Sequence, residues 1–352
     1  MLRNVVRAGI DFLYDRRHRI EAARALRTIE RQRGTSLSRQ VRRKAEAYAV
    51  DVLGSKVFAP WLFVYSALVG EFREGWIPDN YYGRIVCPNI NGAFRAISGV
   101  KTLTRQLFQS DRIPDVAYII DGRFFNRHLQ RIDSDDVLRE VFADSDEVVV
   151  KMESSGQGLG VWKLSRLDFD PVALAASTPM AVIQTRIKQH RIFDTFAPGG
   201  ATTLRLTTVR ESNAIFRARA AYLRVPFGKH EFVRSSSSVR ISVDRASGVL
   251  AATGYLSDWT KIDRLTEPNV AFAGIAIPGY SDAVRLCENL HETVPQVGCI
   301  GWDLLVDRAS RVWLLEWNAN HNDVRFSEAV TGPCFTGLGW EQLKPAKRTW
   351  QL

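Results

Sequence analysis

Two regimes of apolar spacing divide the chain. In residues 1–50, Ala, Leu and Ile recur at helical spacing among arginines, broken by RQRGTSLSRQ, which predicts two helices around Gly34. VFAPWLFVYSALVG (57–70) is apolar on all sides and predicts a buried helix, with a helix lying on a membrane surface as the alternative. It is too short to span a bilayer and contains a proline. Residues 71–95 are mixed, with turn signals at IPDN and CPNING. GAFRAISGVKTLTRQLFQSD (92–111) predicts one helix that stops before Pro114. Beyond it the period shortens. VAYII (116–120) and RFF (123–125) predict a hairpin around Asp121–Gly122. DSDDVLREVFADSD predicts a helix with good N-cap residues. EVVVKM (147–152), VWKL (161–164) and AVIQTRI (181–187) predict strands, the first two joined by the Gly-rich loop SSGQGLG. TTLRLTTVR (202–210), AIFRARAAYLRV (214–225), SVRISVD (238–244) and GVLAATGYL (248–256) predict further sheet, and SDAVRLCENLHETV (281–294) a helix. Short strands with interspersed helices predict α+β architecture with largely antiparallel sheets. No internal repeat is visible, and the only biased tract is SSSS at 235–238.

GWDLLVDRASRVWLLEWNANHN (301–322) carries acids inside two apolar runs. With RASR (308–311) as the turn, Asp303 falls opposite Glu316, Leu305 opposite Leu314 and Asp307 opposite Val312. Directly opposed residues have Cβ atoms about 5 Å apart. Asn318 shares the face of Glu316, while Trp302, Leu304, Val306, Trp313, Leu315 and Trp317 take the other face as core. Opposed carboxylates repel unless a cation or proton lies between them. Two carboxylates and an amide oxygen are hard ligands suited to Mg²⁺ that also holds phosphates. Pairing of Asp303 or Glu316 with an arginine is the competing reading.

Composition adds less. A 45% hydrophobic and 24% charged chain of 352 residues is that of a soluble globular protein with room for two or three lobes. The net charge of +10 is uneven: residues 1–50 hold 13 Lys and Arg against 5 Asp and Glu, and the remainder 35 against 33. That asymmetry weakens a nucleic-acid reading for the body, and no nucleic-acid partner is expected. The basic arm either meets an anionic lipid surface, RNA or an acidic polymer, or is a solvated helix packed on the main domain. Cys87, Cys287, Cys299 and Cys334 are far apart without C-x-x-C spacing, which argues against zinc and disulfides and for a reducing, cytoplasmic setting. No apolar h-region follows the basic start, so no secretory signal is expected.

Lys151 ends an apolar strand, and Gly156, Gly158 and Gly160 follow. Glycines let backbone N–H groups approach phosphate oxygens, and a lysine adds a point charge; a plain hairpin turn is the alternative. No Lys-Ser or Lys-Thr follows the glycines, so this is not a P-loop. A return strand follows rather than a helix, unlike a dinucleotide fold. The glycines come after the lysine and HRD and DFG are absent, unlike a protein kinase. No convincing nucleophilic triad is present.

The ordered set VVVKMESSGQGLG, VIQTRIKQH, TTLRL and GWD…LLEWN resembles the ATP-grasp superfamily over roughly residues 85–340, most like its sugar-transfer-associated branch, related to α-L-glutamate ligases. The resemblance implies an ATP-grasp fold of two α+β lobes clasping ATP between mainly antiparallel sheets. It implies a basic helical region at 1–70, a leading segment and linker helix at 71–115, a small lobe with the Gly-rich flap at 116–190 and a large lobe with the Mg²⁺-binding hairpin at 191–352. It implies that Lys151 contacts ATP phosphates under a flap of residues 154–160 that includes Ser155, Gly156, Gly158 and Gly160. Lys101 falls where a second ATP-contacting lysine is expected, or is an exposed helix lysine. Backbone groups of Gln184, Thr185, Arg186 and Ile187 would read adenine, and Gln189, His190 or Asp194 the ribose. Asp303, Glu316 and Asn318 would hold Mg²⁺, and Arg205 would stabilise the transferring phosphoryl group or an acyl phosphate. Such a protein is an ATP-dependent carboxylate–amine ligase, releasing ADP and phosphate. Its expected partners are small-molecule or glycan-linked carboxylates and amines: a sugar acid, a glycan intermediate or an amino acid. An ATP-grasp phosphotransferase acting on a hydroxyl, and a nucleotide-binding regulator without turnover, are the alternatives. The stretch 231–242 is either a mobile substrate loop or plain surface. His321 and Asn322 either face substrate or cap the next element. The basic arm would make any peripheral contact with the inner membrane surface.

Overall fold

The computed structural model describes residues 2–153, 160–227, 237–265 and 269–346, with residues 2–8 described by backbone alone. The two expected N-terminal helices are α1 (Leu2–Arg33) and α2 (Arg39–Asp51), separated at Gly34, whose φ is 68°. Ser38 caps α2, accepting from the Val41 N–H at 3.2 Å. α1 buries His18, Ala22, Ala25 and Ile29, steps of three and four that form one stripe. The expected apolar helix is α3 (Ala59–Val69), buried from Ala59 to Ala67 apart from Pro60. α1 packs on α3, and the Trp61 indole donates to His18 Nδ1 at 3.0 Å. The arginine-rich arm is thus docked on the body. Among the described residues, no helix is long and apolar enough to cross a membrane.

The single helix expected at 92–111 is instead a run of 3-10 turns, Gly92–Gly99 and Lys101–Leu103, followed by a short α-helix, Thr104–Phe108. Val100 leaves helical geometry at φ −99°, ψ 86°. The Glu153 carboxylate takes the freed N–H groups of Lys101 and Thr102. A tertiary anchor therefore overrides the local period and turns Lys101 toward the centre of the molecule.

The first sheet has the order β2-β1-β5-β3-β4, from β1 (Asp115–Ile120), β2 (Arg123–Asn126), β3 (Glu147–Met152), β4 (Val161–Ser165) and β5 (Met180–Thr185). Asp121 and Gly122 sit at φ 52° and 66°, the left-handed pair that a two-residue hairpin turn requires. The second sheet has the order β10-β9-β8-β7-β6-β13-β14. It is built from β6 (Thr203–Arg210), β7 (Phe216–Pro226), β8 (Ser238–Val243), β9 (Leu250–Tyr255), β10 (Lys261–Ile262), β13 (Cys299–Val306) and β14 (Val312–Asn318). β11 (Arg264–Leu265) and β12 (Val270–Ala271) form a separate ribbon. Every pairing is antiparallel, as expected. The helix Tyr280–Glu292 covers one face of the second sheet and buries Ala283, Cys287 and Leu290 against it. All four cysteines are free and buried.

The β13–β14 register starts as expected and then departs. Asp303 pairs with Glu316, but Leu304 pairs with Leu314, Leu305 with Trp313 and Val306 with Val312. One extra residue, Leu315, bulges out of β14. The expected assignment of Trp313 and Leu315 to the core face is corrected accordingly. Leu314 is fully buried and Leu315 turns to the cleft. Trp313 is half-buried, donates to Asp307 at 2.8 Å and carries the Arg311 guanidinium over its ring.

Candidate active site

A cleft of about 950 Å³ lies between the two sheets. Val149, Lys151 and Gln184 line it from the first sheet, and Arg205, Asp303 and Glu316 from the second. α1 forms a further wall through Arg17, His18 and Arg24.

Lys151, next to last in β3, has its ammonium inside the cleft, donating to the Leu315 carbonyl at 3.1 Å. The bulge in β14 presents that carbonyl to the cleft. Burial lowers the Lys151 ammonium below its ordinary value, and Glu316, Asp115 and Asp303 act in the opposite direction. The Gln184 side chain donates to Asp115 at 2.8 Å and reaches the same carbonyl at 3.5 Å. Asp115 also accepts from the Tyr118 hydroxyl at 3.1 Å, and burial pushes its carboxyl up to about 6. Sequence reasoning missed Asp115, although an acid heading the apolar run DVAYII is the same kind of signal as Asp303.

Lys101 lies at the same end, its ammonium donating to the Glu153 carbonyl at 2.9 Å. Ser155, Gly156 and Gly158 lie outside the described residues. Gly160 has φ 67° and closes the neck of the β3–β4 hairpin, its carbonyl accepting from the Met152 N–H at 2.9 Å. Gln184, Thr185, Arg186 and Ile187 all line the cleft. The N–H of Thr185 goes to Pro114 and that of Arg186 to Glu147, so both are spent on the protein. Gln189, His190 and Asp194 do not reach the cleft. Gln189 ties Asp194, Ala197 and Thr202 together, His190 caps the turn Arg191–Asp194, and Asp194 pairs with Arg308.

At the acid rung, the competing sequence reading holds for Asp303. Arg205 grips it bidentately, Nε to Oδ1 at 2.7 Å and Nη2 to Oδ2 at 2.8 Å. Arg224 approaches Oδ1 at 3.5 Å and the Asn318 amide Oδ2 at 3.4 Å. Burial would raise the Asp303 carboxyl, but the guanidiniums of Arg205 and Arg224 hold it below the usual carboxylate range. Asn322 completes the clamp, accepting from Arg205 Nη1 at 2.9 Å while donating to Thr207 at 2.9 Å. Gly301 makes room for it, because a Cβ there would meet Asn322 Oδ1 at 2.0 Å. Asn322 is therefore scaffold, whereas His321 lines the cleft with Asp79 3.7 Å from its Nε2. Glu316 and Asn318 face the cleft half-buried.

This donor set fits a hard divalent cation in part. Glu316 and the Asn318 amide oxygen are hard ligands on one face. Asp303 has committed its two short contacts to Arg205, and only the 3.4–3.5 Å contacts occupy its remaining lone pairs. Among the described residues, no three His, Cys, Asp or Glu side chains cluster as a metal shell.

The cleft residues that sequence reasoning did not name include Arg224 on β7 and Arg240 on β8. Arg240 comes from the stretch 231–242, of which 231–236 lie outside the described residues; Ser238 opens β8 and is buried.

A family model described as sugar-transfer associated ATP-grasp matches residues 128–339. Among solved structures, the chain is similar to D-cycloserine synthetase DcsG at 13% identity and a TM-score of 0.40, over 68% of this chain and 72% of that one. It is similar to the ADP complex of purK, an N5-carboxyaminoimidazole ribonucleotide synthetase, at 10% identity and a TM-score of 0.39, over 62% and 44%. It is also similar to the D-alanine-D-alanine ligase from Coxiella burnetii at 11% identity and a TM-score of 0.36, over 63% and 48%. The chain spans about half the length of the last two. No curated protein matches it.

Proposed function

The chain belongs to the sugar-transfer associated ATP-grasp family, whose model covers residues 128–339, and from that premise we propose that it is an ATP-dependent carboxylate–amine ligase. The observation that carries this reading is the convergence of Lys151, Gln184, Arg205, Asp303, Glu316 and Asn318 on one cleft, from two sheets far apart in sequence. A carboxylate substrate takes the γ-phosphoryl group of ATP, its oxygen bonding to phosphorus as the bond to ADP breaks. An amine then attacks the acyl carbon, loses its proton and expels phosphate.

Phosphoryl transfer of this kind asks for positioning and charge neutralisation more than for covalent help. Lys151 supplies positive charge from the cleft wall, and the Leu315 carbonyl fixes where its ammonium points. Lys101, braced by Glu153, adds a second ammonium at that end. Glu316 and Asn318 would hold Mg²⁺, with Asp303 as a third, loosely available donor. The bound ion would neutralise the phosphates and orient the transferring group. Arg205, fixed between Asp303 and Asn322, presents a guanidinium of constant charge and position. Residues 184–187, which line the cleft, are the proposed contacts for adenine, and the Gly-rich loop is the proposed flap over the phosphates. The basic face of α1 outside the cleft remains the proposed contact for an anionic surface or polymer.

Incubation with ATP, Mg²⁺, a panel of carboxylates and hydroxylamine tests the reading. A hydroxamate formed with equimolar ADP is expected. A phosphorylated alcohol would assign a phosphotransferase instead, and nucleotide binding without ADP from any donor and acceptor pool would sink the enzyme reading.

A further inference from the structure

Arg224 and Arg240 are register partners on adjacent strands, and both line the cleft. Like charges placed directly opposite each other destabilise a sheet unless something between them is negative. Among the described residues the rung has no carboxylate to itself. Within 4 Å, Arg224 meets only Asp303, at 3.5 Å, and Arg205 already grips that carboxylate at 2.7 and 2.8 Å. Arg240 meets no carboxylate within 4 Å; Asp323, the acid whose charge it feels most, is itself held by Arg325 at 2.9 and 2.8 Å.

Arg240 is also under-bonded. It donates to the Leu256 carbonyl at 3.1 Å, while its buried Nε has no partner. Trp259 and Phe326 hold the guanidinium in place, 5.0 and 5.1 Å from their ring centres. Thr203, the register partner of Arg224 on β6, adds a second unsatisfied group: its buried hydroxyl has no partner, and it too lines the cleft. One rung of the sheet therefore carries two guanidiniums and a hydroxyl with donors left over. α1 closes the cleft as a separate wall, through Arg17 and Arg24.

We propose that Thr203, Arg224 and Arg240 form a subsite for a fixed oxyanion group, a carboxylate or a phosphate, on the substrate that α1 encloses against the second sheet. The rung is two residues along the strands from the Asp303–Glu316 rung, about 7 Å. The bound group is thus a recognition handle beside the reacting centre and not the group that reacts. Planar guanidinium forks suit a carboxylate or phosphate better than ammonium charges do, which gives the subsite its chemical selectivity. Naming the ligand as a substrate rests on the ligase reading of the cleft; the anion site itself is measurable without turnover.

The full chain, saturated with Mg²⁺ and ADP, is titrated at constant ionic strength with inorganic phosphate and, separately, with succinate, and the melting temperature is followed. A saturable rise with one of them is expected. Saturation by phosphate alone assigns a phosphorylated substrate, and saturation by succinate alone a carboxylate one. Arg224→Met and Arg240→Met each weaken the preferred anion at least about 10-fold, and Arg240→Lys, which keeps the charge but not the fork, does so by a smaller factor. If a Met variant fails to fold, the Lys variant decides. No saturable response to either anion, or unchanged affinity in the variants that fold, overturns the subsite. ADP affinity is read by calorimetry: failure of ADP to bind counts against the nucleotide reading alone, and the anion titration is then read on the nucleotide-free protein.

Discussion

The second sheet carries two rungs of like charge, and they are solved in opposite ways. At Asp303–Glu316, a third strand brings Arg205 against one of the two acids and neutralises it inside the protein. At Arg224–Arg240, no neighbouring strand supplies an acid, and aromatic rings only hold the second guanidinium in position. The first rung is internally compensated, with Glu316 left for the cleft; among the described residues the second has only a share of Asp303, 3.5 Å from Arg224 and already gripped by Arg205. A buried charge matched within the fold is held in position by its partner, whereas one left partly unmatched keeps donors that a ligand can use.

The comparison can be broken most severely at the compensated pair. Asp303→Asn leaves Arg205 buried without its carboxylate and should destabilise the protein by about 3–5 kcal/mol, read from the denaturant midpoint. A loss below about 1 kcal/mol would show that Arg205 is not held by this pair. Glu316→Gln tests the other half of the same rung. It should reduce ADP formation about 10²–10³-fold while leaving the melting temperature unchanged, because Glu316 faces the cleft. Full turnover in that variant would remove Glu316 from the chemistry. Gly301→Ala drives a Cβ into Asn322 and should cost about 1–3 kcal/mol, with a smaller loss of turnover as the Arg205 clamp loosens. The smallest effect is expected at the uncompensated rung. Arg240→Met loses a hydrogen bond and two ring contacts but relieves the repulsion with Arg224, so stability without an added anion should change by less than about 1 kcal/mol. A drop as large as that of Asp303→Asn would mean that Arg240 is a structural residue.

Much of the fold was legible because its signals are local. The Asp121–Gly122 turn, the Lys151 strand with its return strand, and the facing of Asp303 and Glu316 each follow from a few consecutive residues. The failures have a common cause. The helix expected at 92–111 broke because Glu153, some fifty residues on, took its N–H groups. The hairpin register slipped at Leu315, whose carbonyl is engaged by Lys151 and Gln184 from the other sheet. Gln189 and Asp194 looked available for a ribose because their partners Thr202, Ala197 and Arg308 are not adjacent to them in sequence, whereas His190 is spent locally on the Ile192 N–H.

By itself, then, the sequence determined most of the strands and helices, the order of the motifs, and the facing of Asp303 and Glu316 on one hairpin. Side-chain period and turn chemistry act over a few residues, and they suffice for that. Only the tertiary structure decided that Arg205 belongs to Asp303, that Leu315 bulges toward Lys151, that α1 walls the cleft, and that Arg224 and Arg240 face each other. Each of those depends on the register between strands, or on the docking of a helix, and packing across the whole core fixes both.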